Sequence, residues 1–534
     1  MRTGVRMRWA RAVSKPILIT SLVLFGSILL ASGLVLALGL GRLPPRGQAA
    51  NQAALPPGSG SWLDRIIGPR TDARPGESAF RLISDGVEAF ALRALSARHA
   101  ARSLDVQYYI WHADTTGILL IQELLRAADR GVRVRVLLDD LDARAKNFEL
   151  VAIDAHPNIE VRIYNPFASR DGFAGKILEG ITSFSRINRR MHNKAWIADN
   201  RVAIAGGRNI GDEYFTASER VNFVDLDFGM IGPAVQDMSE EFDEYWNSAA
   251  VWPMAALSPP LVKSERFETL RREATERVER AARSEYVRAL ASSDLLQNLG
   301  SEPDDVVWSS DVQVLFDDPL KAHVEGDALA RSSVLRALVE MLHRAERSAT
   351  LVSAYFVPGE RGTEVLTGLA RQGVKLSILT NSLAATDVIA VHGGYAKYRD
   401  ALIASGAELW ELKPNPAVRP HAGLIGSSSA SLHTKAVIID DEQLFVGSFN
   451  LDPRSSSLNC EQGVMVSAPA LAKQAAELFA RMRSDAHAWR VAHDDAGKLA
   501  WHDQGATLAS EPAASFGRLA LARLLRWLPI ESQL

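Results

Sequence analysis

The apolar and polar positions of this chain fall into regions of different rhythm. From Pro16 to Gly41 no residue is charged, and the run PILITSLVLFGSILLASGLVLALGL has no polar face. At about 1.5 Å per residue, roughly 20 such residues cross a hydrocarbon core, so the run predicts a membrane-spanning helix. It exceeds the apolar region of about 7–15 residues usual in a signal peptide, although GQAANQAA leaves a small-residue cleavage site open. The following GRLPPRGQAANQAALPPGSGSW is rich in Pro, Gly and Ala and reads as a linker.

Beyond it the rhythm changes and then repeats. SLDVQYYIW, the helix-period ILLIQELLRAADRG and the apolar VRVRVLLDD read as strand, helix, strand. In the later half ATLVSAYFV, VLTGLARQG and VKLSILTN read the same way, with Gly131 and Gly373 closing the two helices. Such alternation predicts an α/β fold with a largely parallel or mixed sheet in each half. Between the halves, KSERFETLRREATERVERAARSEYVRAL has dense charge at helical spacing and predicts a solvated helix. The expected organisation is 1–45 anchor, 46–75 linker, 76–300 first lobe, 301–500 second lobe and 501–534 amphipathic tail. In that tail, LARLLRWLPIESQL sets arginines among leucines and a tryptophan, a pattern that suits a membrane interface or the cover of a core.

Composition refines this outline. With 47% hydrophobic and 23% charged residues over 534, the chain is an ordinary folded protein. A single cysteine, Cys460, rules out an internal disulfide and a Cys-rich metal site. The formal net charge is −3; six basic and no acidic residues in 1–45 leave −9 on the rest. An acidic body disfavours non-specific nucleic-acid binding. Five basic residues before the apolar run place the amino terminus in the cytoplasm by the positive-inside rule. In a Gram-negative host the body then lies on the periplasmic side of the inner membrane.

One short polar pattern occurs twice. His192-x-Lys194 is followed by Asp199 and then by Gly206-Gly207-Arg208-Asn209; His433-x-Lys435 is followed at the same spacings by Asp440 and Gly447-Ser448-Phe449-Asn450. On a strand, positions i and i+2 share a face, so each His and Lys point into one space. Each Asn follows a glycine-containing turn and can return to that space. Two imidazoles, two ammonium groups and two amides suit a phosphodiester. Lys and Asn cradle the non-bridging oxygens, one His attacks phosphorus, and the other handles the leaving and entering protons. The ammonium groups disfavour a divalent cation there, so the pattern asks for no metal and no cofactor.

These motifs resemble the paired HKD motifs of the phospholipase D superfamily. The resemblance covers roughly residues 76–500 and implies two pseudo-twofold-related α/β sandwich lobes, here behind an N-terminal transmembrane helix. It implies that His192, Lys194, Asn209, His433, Lys435 and Asn450 form the catalytic set, with His192 as nucleophile and His433 as acid/base. It also implies a supporting, largely structural role for Asp199 and Asp440. Each motif is expected to have a carboxylate that orients its imidazole. Aligning DLDFGMIGPAV with EQGVMVSAPAL gives Asp225 and Glu461, with Asp227 a rival in the first lobe. Gly207 stands where the second copy has Ser448, so the first copy lacks a hydroxyl but keeps a backbone N–H to donate.

DVQYYIWHADTTG, SLAATDVIAVHGGYAKYRDALIASG and WLPIESQL are similar to segments of bacterial cardiolipin synthases. That similarity implies phosphatidyl transfer onto phosphatidylglycerol, with phosphatidylglycerol or phosphatidylethanolamine as donor. The implied partners are phospholipids and a bilayer, with no nucleic acid. Hydrolysis of phospholipid is the alternative, and nuclease action a more distant one. Tyr108, Tyr109 and Trp111 fit either a lipid pocket or a core strand, and His392 fits a headgroup contact or the surface.

Overall fold

The computed structural model describes residues 20, 23–28, 43–47, 50–143, 147–169, 179, 183–258, 265–284, 286–288, 306–321, 327–414, 429–528 and 530–534. The expected membrane span at 16–41 therefore lies outside the described residues apart from a few positions. Among the described residues no helix is long and apolar enough to cross a membrane.

Two large mixed sheets form the body, and eight strands correspond one for one. In the first sheet they run in the order 78–83, 227–231, 202–206, 195–198, 103–108, 133–139, 159–164 and 251–253. In the second they run 312–316, 462–467, 443–447, 435–439, 348–353, 375–381, 408–412 and 488–493. In both, only the three strands linked by helices are parallel to one another. The repeat read from the sequence is thus a repeat of topology. Each sheet also has additions: Val307–Ser309 on an edge of the first, and Leu499–Asp503 and Ala506–Leu508 on an edge of the second.

The helices form where caps and apolar spacing dictate. The Asp85 and Asp114 side chains accept amide hydrogens at the start of Gly86–His99 and Thr115–Asp129, satisfying donors that a helix start leaves open. Ser332 does the same for Ser333–His343. Gly131 and Gly373, both at positive φ, end the equivalent helices Thr115–Asp129 and Gly359–Arg371. These helices cover the outer faces of the sheets. The inner faces share one core, in which Ile197, Ala205 and Phe228 meet Ile438, Leu444, Val446 and Val464. Strands covered on both sides bury both faces, and in VRVRVLLDD and VKLSILTN the alternating polar residues Arg135 and Ser377 are buried with the rest.

The charged helix Glu265–Ala282 packs on Thr115–Asp129, burying Ala281 and leaving Arg272, Glu273, Glu276, Arg277, Glu279 and Arg280 to solvent. The stretch read as a linker is not extended throughout. Ser61 and Asp64 form a reciprocal capping box at the head of the helix Trp62–Asp72, and Leu63 and Ile67 enter the first lobe's outer core. Ala54 N–H donates to Asp243 (2.6 Å) and tethers the chain just before it.

Candidate active site

Each motif histidine sits just ahead of a short buried strand, Ala195–Ala198 or Lys435–Ile439, that hairpins back through a turn containing the motif Asp. Asp199 and Asn200, like Asp440 and Asp441, adopt positive φ, which Asp and Asn tolerate best among residues with a side chain. The Asp199 carboxylate accepts from the amides of Ala101, Arg102 (2.7 Å) and Ser103. Asp440 accepts from Glu346, Arg347 (2.7 Å) and Ser348. Burial raises the Asp440 carboxyl, but these donors outweigh it and hold the group below its ordinary value. Each motif Asp therefore pins a hairpin to the start of the neighbouring strand and faces away from the imidazoles.

The carboxylate partners cross between lobes. His192 Nδ1 lies 2.9 Å from Glu461 Oε2, and His433 Nδ1 lies 2.6 Å from Asp225 Oδ2. A carboxylate only accepts, so each Nδ1 carries the hydrogen and Nε2 is left for chemistry. The backbone enforces the crossing. Val221–Val224 pairs in parallel with Ser429–Leu432, and His433 N–H donates to Val224 O (2.8 Å). In the mirror arrangement His192 N–H donates to Cys460 O (2.8 Å), and Cys460 N–H donates to Arg190 O (2.9 Å). Each histidine is thus hydrogen-bonded to the residue preceding the other lobe's carboxylate. The expectation that each copy carries its own carboxylate is corrected here. Local alignment pairs Asp225 with Glu461 by position in the repeat, whereas interlobe strand pairing exchanges their histidines. Asp227, the rival, instead accepts from the buried Arg93 (2.8 Å) and from the Arg208 amide (3.2 Å).

The lysines point into the same buried space. Lys194 Nζ and Lys435 Nζ each donate to the carbonyl of the histidine two residues earlier. Burial is the main reason the Lys194 ammonium is pushed down to about 7; Glu461 opposes this and Lys435 adds to it. Burial lowers Lys435 in the same direction. It also takes the His192 imidazolium down to about 4, against the pull of Glu461 and with a further push from Lys194. His433 is lowered by burial and by Lys435, against Asp225. Asp225 stays ionised: His433 and Lys435 overcome its burial and bring it to about 2. Glu461 is likewise held low, despite burial, by His192 and Lys194. Each lobe's charges act on the other's, as groups sharing one site must.

Asn209 and Asn450 differ. Asn209 Nδ2 donates to Tyr214 Oη (2.9 Å), while the buried Oδ1 of Asn450 has no hydrogen-bond partner among the described residues. Gly207 N–H does not serve the site, because it donates to Leu226 O (3.1 Å) in the sheet. A Cβ at Gly207 would stand 2.0 Å from Asp225 Oδ1, whereas Ser448 Oγ donates to Glu461. The missing hydroxyl is thus replaced by the carboxylate itself.

Aromatic rings wall the imidazoles: Tyr109 stands edge-on to His192 (4.9 Å), and Tyr214 and Phe223 flank His433 (5.2 and 5.1 Å). Of the aromatic trio, only Tyr109 reaches the site; Tyr108 accepts from Arg93 Nε (3.0 Å), and Trp111 is buried in the outer core. Tyr214 follows Asn209 by five residues and Phe223 precedes Asp225 by two, but no local signal singles them out. His392 is buried rather than on the surface, with Nε2 facing Glu511 (3.1 Å).

Fold and geometry together define a phospholipase D-like phosphodiester site. A family model described as "Cardiolipin synthase, PLD-like domain" matches residues 96–246 and 338–483, and the chain belongs to that family. It is 39% identical to cardiolipin synthase C of Escherichia coli, over 88% of this chain and 99% of that protein. It is 24% identical to cardiolipin synthase B of the same species, over 72% and 76%. Among solved structures, phosphatidylserine synthase of Haemophilus influenzae superposes with a TM-score of 0.54 at 14% identity, over 87% of this chain and 99% of that one. That likeness supports the fold.

Proposed function

We propose that this chain transfers a phosphatidyl group from one phospholipid to a hydroxyl of phosphatidylglycerol, making cardiolipin, through a phosphohistidine at His192. The observation that carries the mechanism is the pair of crossed Nδ1–carboxylate contacts, which aim two Nε2 atoms at one space lined by two lysines. The family and the cardiolipin synthase relatives carry the substrate.

His192, the imidazole pushed down to about 4, is neutral at working pH and suits the nucleophile. Its Nε2 forms a bond to phosphorus as the bond to the donor's headgroup oxygen breaks. His433 gives that oxygen a proton, with ionised Asp225 countering the burial and the Lys435 charge that disfavour its imidazolium. Lys194, Lys435 and Asn450 Nδ2 donate hydrogens to the non-bridging oxygens. In the second half His433 takes the proton from the incoming hydroxyl, which attacks phosphorus and frees His192. With two phosphatidylglycerols the products are cardiolipin and glycerol; with phosphatidylethanolamine as donor they are cardiolipin and ethanolamine. No step calls on a metal or cofactor.

Residues 16–41 supply the single membrane span in this reading, with the body on the periplasmic side of the inner membrane. The test is full-length protein in vesicles of phosphatidylglycerol, with or without phosphatidylethanolamine, in chelator, with cardiolipin followed by mass spectrometry. Cardiolipin that disappears in His192→Ala and His433→Ala supports the reading. Phosphatidic acid alone would make the chain a phospholipase, and no lipid turnover would overturn the lipid assignment.

A further inference from the structure

Phe516–Leu525 is capped by Ser515, whose hydroxyl accepts from the Arg518 amide (3.3 Å), and of its residues only Ala522 is buried. Around it Phe516 and Trp527 are each 86% exposed, Leu524 is 61% exposed, and Leu521 and Leu528 also face outward. An isolated exposed leucine needs no explanation, but five large apolar side chains within 13 residues do. The stretch from Pro512 to Ile530 carries Arg518, Arg523 and Arg526 and no acidic residue, although the chain as a whole is acidic.

This helix is rigidly tied to the body. It lies on the helix Ile389–Tyr395, where a Cβ at Gly393 would stand only 3.0 Å from Ala522 O. Arg518 donates to Leu383 O (2.9 Å) and Thr386 O (2.5 Å). The chain that follows then clasps both lobes at the site. Asn188, four residues before His192, donates to Gln533 Oε1 (2.6 Å); Arg454, four residues after Asn450, donates its amide hydrogen to Leu534 O (2.7 Å). The Arg454 guanidinium also donates to Asn188 Oδ1 (2.8 Å), and its charge reaches Tyr109, the ring beside His192.

We infer that the exposed face of residues 516–528 is an interfacial dock for an anionic phospholipid bilayer, and that it holds the rim of the active site against the membrane. Trp, Phe and Leu enter the headgroup and acyl boundary while the exposed Arg523 and Arg526 meet lipid phosphates, the arrangement that suits an amphipathic helix lying in an interface. A second copy docking through this same face would set Arg523 and Arg526 against their own counterparts, with no acidic residue in the stretch to answer them. The dock is separate from the span at 16–41: it orients the site, where the span only tethers it.

A nitroxide attached at Leu524→Cys in the full-length protein tests this, because Cys460 is buried and stays unlabelled. The control label sits at Ala496→Cys, on an exposed turn of the outer hairpin. In phosphatidylglycerol vesicles the Leu524 label should become accessible to oxygen and shielded from a nickel chelate, with weaker shielding in phosphatidylcholine, while the control stays open to the chelate. Equal chelate access at both positions would overturn the inference, and so would spin–spin broadening between Leu524 labels on vesicles, which signals a second copy on this face. The label readout needs no turnover, so it stands apart from the proposed reaction. Where turnover is measured, Phe516→Ser/Leu524→Ser/Trp527→Ser should lower it about tenfold on vesicles and less than about twofold in detergent micelles. Equal losses on both would overturn it.

Discussion

The two half-sites are built on the same strands and differ at the imidazole. His192 meets the longer carboxylate, Glu461, which also accepts from Ser448 Oγ; His433 meets the shorter Asp225, which fills the space against Gly207. One methylene in the acid is offset by one hydroxymethyl in the facing turn, so both carboxylates reach Nδ1 through different surroundings. The asymmetry extends to the amides, with Asn209 held by Tyr214 and Asn450 open. A duplicated scaffold can thus hold a nucleophile and an acid/base, which need different protonation states during one step.

The comparison breaks most sharply at the histidines. Either His→Ala change should cost at least about 10⁴-fold in kcat, as removal of a covalent-catalysis group does elsewhere. Quench-flow with a labelled nitrophenyl phosphatidyl ester, whose leaving group needs no proton, should still show an enzyme-bound intermediate in His433→Ala and none in His192→Ala.

The carboxylates come next. Glu461→Gln and Asp225→Asn should each lower kcat/KM roughly 100-fold, since they orient and charge-balance an imidazole. Gly207→Ser should match Asp225→Asn, because its Cβ drives into the carboxylate. Ser448→Gly removes a hydroxyl that contacts Glu461, Gln462 O (3.2 Å) and Gln462 N–H (3.0 Å) but leaves the carboxylate room to reach the imidazole, and should cost about tenfold. Equal losses for Gly207→Ser and Ser448→Gly would remove the proposed compensation.

Acidity sharpens the picture further. His192 protonates near 4 and Lys194 loses its proton near 7, so kcat/KM should fall on the acid side of the first and on the alkaline side of the second. Lys194→Arg should remove the alkaline limb, because guanidinium stays charged. Stability has its own sign. Unfolded histidine binds a proton near its ordinary 6.5 and buried His192 does not until about 4, so stability contributed by this residue is lost as pH falls through that window. Thermal melts between pH 7 and 4 check it.

The smallest effect belongs to the motif aspartates. Asp199→Asn and Asp440→Asn keep the positive-φ turn but weaken three amide contacts, so each should cost about 1–3 kcal/mol of stability. Where the variant stays folded, kcat should change less than about threefold, as read by denaturant melts beside the assay.

Much of the site was legible because chemistry at i and i+2 on a strand repeats in sequence as it does in space. His192, Lys194, His433 and Lys435 could be gathered from spacing alone, and Asp225 and Glu461 from alignment of the halves. Which histidine each acid serves was not legible, because Val224 and Cys460 pair with strands more than 200 residues away and leave no local trace. The Gly207–Asp225 fit was hidden for a related reason: an absent hydroxyl is visible in sequence, and the carboxylate that takes its place is visible only in three dimensions. Likewise Tyr108, Tyr109 and Trp111 look alike in sequence, and only burial separates Tyr109 from its neighbours.

The central claim is that His192 carries the phosphatidyl group and His433 moves the protons. The most direct measurement is acid-free quench of full-length His433→Ala with a phosphate-labelled nitrophenyl phosphatidyl ester, whose leaving group needs no proton, followed by peptide mapping under conditions that keep phosphoramidates intact. The account predicts label on the peptide containing His192 and none in the His192→Ala/His433→Ala double variant. Label on the His433 peptide of the single variant His192→Ala, with none on His192 in the other, would contradict it.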